Sequence, residues 1–186
     1  NTFAVTQTPP GQPVRLDVVD RMALEQNQVA NPVPADHPDA LVLVSCGPPI
    51  GGTAVQVINK HGHPLPERQV GELAIQSNYM LTEYYRRDDL RPFHDGWFLT
   101  GDRGYVTDGE VYVIGRSKDL IINAGKNIYP QDIEAIVNGV PGVHAGRAVV
   151  FGVPDEREGT ELIAVVADVE TDDSDERKTI NKTIRQ

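Results

Sequence analysis

Between Gly96 and Glu134 the chain reads GWFLTGDRGYVTDGEVYVIGRSKDLIINAGKNIYPQDIE. Asp102 follows Thr100-Gly101. A carboxylate set in a turn can accept two hydrogen bonds at once, the geometry that a vicinal diol such as a ribose offers. The plainer reading of Asp102 is a turn-capping acid. Arg116 follows Gly115 and offers planar donors to phosphate or ribose oxygens, or else makes a surface ion pair. Asp102 and Arg116 lie at the two ends of one strand-turn-strand unit, so both can reach one ligand. Lys118 falls where the chain changes character, as a joint between two regions or simply a solvated lysine. Gly125, within Asn123–Asn127, belongs to a turn that can bring backbone close to a ligand or merely connect a strand to a helix.

Other chemistry is poorly served. The five histidines are scattered, and His61 and His63 stand two apart in a turn with no third ligand in view, so no metal site is expected. Cys46 is the single cysteine; it excludes a disulfide within the chain and reads as a small buried hydrophobe. Neither a Gly-rich Lys-Ser/Thr phosphate loop nor a G-x-S-x-G elbow is present. The formal charge of the 186 residues is -10, and Pro154–Lys178 holds ten Asp or Glu against three Lys or Arg. Such a chain repels phosphate backbones, and with no basic stripe interleaved with aromatics a nucleic-acid partner is not expected. Hydrophobic residues make up 39% and charged residues 24%, a globular composition. No apolar run approaches the roughly 20 residues of a membrane helix, and nothing at the start resembles a signal peptide. With a single cysteine as well, the expectation is a cytoplasmic protein.

The elements that must position these residues are short strands. VRLDVVD (14–20), ALVLVSCG (40–47, read as buried), TAVQVIN (53–59) and VGELAIQS (70–77) alternate or run apolar between polar turns, as a small antiparallel β unit would. Residues 79–93 read as a turn and a short helix. GWFLTGD is a short strand and turn, and RGYVTDGEVYVIG a hairpin about Asp108-Gly109. KDLIINAG predicts a strand ended by a glycine turn. A helix starts at Pro130 with an apolar face of Ile133, Ile136 and Val137. Residues 143–154 and 161–169 follow as strands, and Ser174 as the cap of a last helix. The fold class is therefore α+β: a β-rich part over 1–115, a hinge over 116–119, and an α+β part over 120–186.

In order, VSCGPPIGGTAVQVIN, GELAIQS, GWFLTGDRGYV with DGEVYVIGRSKDLI, and NAGKNIYPQDIE resemble the later motifs of the acyl-adenylate-forming enzymes. That superfamily includes acyl-CoA synthetases, fatty acyl-AMP ligases and adenylation domains. The resemblance covers roughly residues 40–170, and the YPQDIE ending looks most like the fatty acyl-AMP ligases. It implies that residues 1–115 end a large adenylate-binding domain and that 120–186 begin a small C-terminal domain. It implies ATP and Mg2+, a fatty or related acyl acid as substrate, and a carrier-protein or coenzyme A thiol as acceptor. By this likeness Asp102 holds both ribose hydroxyls, Arg116 also contacts the ribose, and Lys118 is the hinge. Gly125 belongs to the loop that approaches the active site for the thiol step. Some relatives carry a lysine where this chain has Ala124, so that contact is missing. The family's phosphate loop and its magnesium-binding glutamate are expected upstream of Asn1, and its adenylation lysine beyond Gln186. No catalytic or metal-binding residue is therefore expected in this segment, which alone should not catalyse the reaction. The alternative is a stand-alone, inactive adenylate-binding or interaction module.

Overall fold

The β-branched and apolar residues of TAVQVI and GELAIQS favour extended chain and form two neighbouring strands, with Val57, Ile58, Leu73, Ala74 and Ile75 buried. The computed structural model describes residues 4–83, 86, 92–155 and 157–185. It divides into two units, Asn1–Lys118 and Asp119–Gln186.

In the first unit β1 (Leu16–Asp20) pairs antiparallel with β2 (Ala40–Val44). A second sheet holds β3 (Thr53–Ile58), β4 (Gly71–Ser77), β5 (Phe93–His94), β6 (Trp97–Thr107) and β7 (Glu110–Arg116). β4 lies between β3 and β6, and β6 also pairs with β5 and β7, all antiparallel. The stretch from Trp97 is thus one long strand rather than a strand, a turn and a second strand. The Asp108-Gly109 hairpin takes left-handed φ values of 52° and 74°, as a two-residue type I′ turn requires. Asp95-Gly96, between β5 and β6, does the same at 47° and 81°. Of the stretch 79–93, expected to be a turn and a short helix, residues 84, 85 and 87–91 lie outside the described residues, 79–83 are not helical, and Phe93 belongs to β5.

β2 is not a buried strand. It belongs to a two-stranded sheet with one covered face, so Leu41 and Leu43 pack inward while Val42 and Val44 are exposed. Cys46 continues the outward parity and is exposed, contrary to expectation. A π-helical turn, Ala23–Asn27, also lies in a region that reads as irregular. The core beneath joins Val19, Leu24, Ala30, Val70, Tyr105 and Tyr112. Tyr105 and Tyr112 are cross-strand partners with rings stacked 4.9 Å apart. Tyr105 donates to Asp17 Oδ2 at 2.7 Å, and Arg68 Nη1 donates to the same oxygen at 3.0 Å.

In the second unit β8 (Ile121–Asn123) and β9 (Lys126–Ile128) form a hairpin where a single strand and turn were expected. Helix α1 (Pro130–Asn138) follows, then the long antiparallel pair β10 (Val143–Asp155) and β11 (Thr160–Val169), then α2 (Ser174–Ile184). Val137 is buried against Val143 and Ala148, with Ile133 packed beside them. Ile136 is 71% exposed, because the short α1 presents only a narrow stripe to β10. The cap of α2 is Asp173, one residue before the expected Ser174. Its carboxylate accepts the N–H groups of Asp175 and Glu176, each at 2.9 Å. None of the described helices is long and apolar enough to cross a membrane.

Candidate functional site

Two irregularities in strand pairing build the site. The first lies between β6 and β7. Next to the turn, Thr107 faces Glu110, Val106 faces Val111 and Tyr105 faces Tyr112. Continued unchanged, that register would set Asp102 opposite Gly115, which has no side chain. Instead Gly104 faces Val113 and Arg103 faces Gly115, so Ile114 is the extra residue of a bulge and Arg116 comes to face Asp102. A one-residue slip exchanges the faces of a strand, which is how a bulge re-aims a side chain. The close approach of the strands beside it needs Gly104, where a Cβ would lie 2.1 Å from the Tyr112 carbonyl oxygen.

The second irregularity lies between β6 and β4. Glu72 faces Arg103 and Ala74 faces Leu99, so Leu73 stands alone opposite Thr100, Gly101 and Asp102. These three residues bow out of the ladder. Gly101 has φ +76°. Nothing lies within 4 Å of where its Cβ would be, so it is the backbone conformation, not space, that requires glycine. Four hydrogen bonds tie the bow. Thr100 Oγ1 donates to the Leu73 carbonyl at 2.7 Å and accepts from the Asp102 N–H at 3.0 Å. The Gly101 N–H donates to Glu72 Oε1 at 3.1 Å, and its carbonyl accepts from the Ser117 N–H at 2.8 Å.

Asp102 and Arg116 therefore meet: Arg116 Nε donates to Asp102 Oδ1 at 3.0 Å. The pair is solvent-accessible, the side chains 37% and 62% exposed respectively. As an exposed ion pair it contributes at most about 1 kcal/mol to stability. Its chemical capacity is larger: a carboxylate acceptor and a guanidinium with further N–H groups are presented together at the surface. Arg116 is the last residue of β7 rather than part of a linker. Lys118 is exposed and is the last residue of the first unit.

Gly125 lies in the second unit. With Ala124 it forms the turn between β8 and β9, at φ 76° and 48°. The hairpin is fastened to the start of β11. The Ala124 N–H donates to Thr160 Oγ1 at 2.7 Å, and the Ile122 N–H to Glu161 Oε2 at 2.6 Å. Among the described residues no group of three or more His, Cys, Asp or Glu side chains could hold a metal ion.

Sequence reasoning singled out Asp102 and Arg116 but missed Glu72 and Thr100. Thr100 stood beside Asp102 in the Thr-Gly-Asp triplet. Glu72 stood in GELAIQS, an acid in a strand that otherwise reads as apolar, but its partner is 29 residues away.

No family model matches the chain. Curated relatives and solved structures do. The medium-chain-fatty-acid–[acyl-carrier-protein] ligase JamA of Moorena producens is 35% identical over 91% of this chain and 30% of its own length. The sulfoacetate–CoA ligase of Cupriavidus necator is 37% identical over 81% of this chain and 30% of its own length. A structure from studies of fatty acyl-adenylate ligases from E. coli and L. pneumophila superposes with a TM-score of 0.86. It is 32% identical and covers 97% of this chain and 32% of its own. The chain thus spans about a third of the length of the proteins it matches. Through nearly all of its residues, it belongs to the acyl-adenylate-forming superfamily, as the counterpart of a segment of those ligases.

Proposed function

We propose that the protein is an ATP-dependent ligase, a fatty acyl-AMP ligase or AMP-forming acyl-CoA synthetase, and that this chain supplies one wall of its nucleotide site. It would activate a fatty or related carboxylic acid as the acyl-AMP and pass the acyl group to the thiol of a carrier protein or of coenzyme A. The observation that carries this reading is the meeting of Asp102 and Arg116 where β6 slips register against both β7 and β4, in a chain whose relatives include fatty-acid ligases. A cytoplasmic location accords with it.

In the first half-reaction a carboxylate oxygen of the acid attacks the α-phosphorus of ATP, and the bond to pyrophosphate breaks. In the second the thiol sulfur attacks the acyl carbon, the thiol proton is released, and AMP leaves. Asp102 contributes by accepting hydrogen bonds from the two ribose hydroxyls, and Arg116 by donating to ribose oxygens. Both hold the sugar so that the α-phosphorus keeps its place through both steps. Lys118 is read as the hinge about which the second unit turns between the steps, and the turn at Gly125 as part of the loop that approaches the active site for the thiol step. The resemblance also implies Mg2+. The described residues offer no cluster that fits a magnesium site, so no step here is routed through one.

Acid-dependent exchange of pyrophosphate into ATP by the full-length protein is the test. Exchange with medium- or long-chain fatty acids is expected. Its absence with acyl acids of every length would refute the proposed activity.

A further inference from the structure

We propose that Glu72 is a positioning residue for the nucleotide site: its carboxylate fixes the Thr100–Gly101 peptide and so helps to set the backbone angle at Gly101 that aims Asp102. The inference rests on the reading of Asp102 as the ribose acceptor.

Because Leu73 alone faces Thr100–Asp102, the Gly101 N–H has no ladder partner on β4. A part-buried N–H must find an acceptor, and Glu72 Oε1 provides one at 3.1 Å. The acid sits on β4 at the last paired position before the bow, opposite Arg103, so a rigid strand carries it to that N–H. The next peptide, Gly101–Asp102, accepts from the Ser117 N–H at 2.8 Å through the Gly101 carbonyl. Gly101 is thus held from both faces, and its left-handed φ of +76° is kept by these two bonds rather than by side-chain packing. Release of the Thr100–Gly101 peptide would free φ of Gly101, and the next residue, Asp102, would turn away from Arg116. A hydrogen bond from a neutral N–H to a carboxylate is among the stronger ones. Thr100 Oγ1 and the Ser117 N–H hold the peptide that leads into Asp102, and Glu72 holds the one before it, so Glu72 fixes one of the two peptide planes whose angle at Gly101 aims Asp102.

The experiment is the ratio of KM for 2′-deoxy-ATP to KM for ATP in pyrophosphate exchange by the full-length protein. This ratio compares two nucleotides on one sample, so it is insensitive to the fraction of folded enzyme. The wild type should disfavour 2′-deoxy-ATP by roughly tenfold, the loss of one hydrogen bond to a charged group, and Asp102→Ala should bring the ratio close to one. Glu72→Ala should lower the ratio at least threefold. Glu72→Gln should restore it, since the amide oxygen accepts the same N–H. If Glu72→Ala does not fold, Glu72→Met, which keeps the stem and lacks the acceptor, serves in its place. A wild-type ratio in the variant without an acceptor, alongside a collapsed ratio in Asp102→Ala, overturns the role of Glu72 alone. A Gln variant as impaired as the Ala variant overturns it too. An unchanged ratio in Asp102→Ala overturns the ribose reading and this inference with it.

Discussion

A single carboxylate or phenol in this protein has a consequence set by what it touches. Asp102 meets Arg116 Nε at 3.0 Å and remains partly open to solvent. On the proposed function, Asp102→Ala removes one charged contact to the ribose. It should weaken ATP and acyl-AMP binding by about 1.5–3 kcal/mol, roughly ten- to a hundredfold. Calorimetric titration of the full-length protein with ATP measures this directly, and unchanged affinity would remove Asp102 from the site. Tyr105 lies deeper. Burial, and then its hydrogen bond to Asp17, push its phenol well above the ordinary 10.0, and burial raises Tyr112 as well. A group whose pKa is raised by folding stabilises the native state fully below its unfolded pKa. Above that pH the unfolded chain ionises first and stability is lost. Thermal unfolding should therefore show a falling midpoint as pH rises past 10. Tyr105→Phe should cost about 1–2 kcal/mol at neutral pH, since Asp17 loses a donor but keeps Arg68, and should lessen that alkaline fall.

At the scale of elements, turn chemistry and end caps decide what forms. The hairpins at Asp95-Gly96, Asp108-Gly109 and Ala124-Gly125 all use two consecutive left-handed residues. The first two have the Asp-Gly composition that such a turn favours. The third carries alanine at its first position, which is why a strand and turn, not a hairpin, is what the residues there suggest. Helix α2 depends on Asp173. Hydrogen bonds from the Glu176 and Asp175 N–H groups hold its carboxyl below the usual 3.8. A depressed pKa contributes stability above the unfolded value, which disappears as pH falls through the lower folded value. The helical signal of α2 should thus fade on acidification below 3.8. Asp173→Asn, which keeps an acceptor without a titrating charge, should retain the helix through that range. Asp173→Ala should weaken it at neutral pH. Circular dichroism across pH 2–6 reads all three, and an acid response in Asp173→Asn equal to the wild type would contradict the cap as its source.

Over the whole molecule the chain divides at Lys118, two residues beyond the Asp102–Arg116 pair. If Lys118 is the hinge, the two half-reactions should separate there. Proline fixes φ and removes an N–H, so Lys118→Pro in the full-length protein should leave pyrophosphate exchange within a fewfold of wild type. Transfer of the acyl group to the thiol should drop by a hundredfold or more. Single-turnover measurement of each step distinguishes them. Loss of neither, or of both together, would mean that Lys118 does not govern the change between steps. This prediction belongs to the protein as a whole, because the chain matches only about a third of the length of its relatives.

Periods and turn residues were enough to indicate short antiparallel strands, the Asp108-Gly109 hairpin, a helix beginning at Pro130 and a candidate pair in Asp102 and Arg116. These signals are local: they depend on side-chain alternation and on backbone angles that few residues adopt. The bulge at Ile114, the bow of Thr100–Asp102 away from Leu73, and the grip of Glu72 on Gly101 came only from tertiary structure. So did the Asp17–Arg68–Tyr105 cluster, whose members lie 51 and 88 residues from Asp17. Pairing between distant strands sets such register shifts, and their energy comes from satisfying groups that no short stretch brings together. An acid and an arginine can therefore be picked out along the chain, but only the slipped strands turn them toward one another.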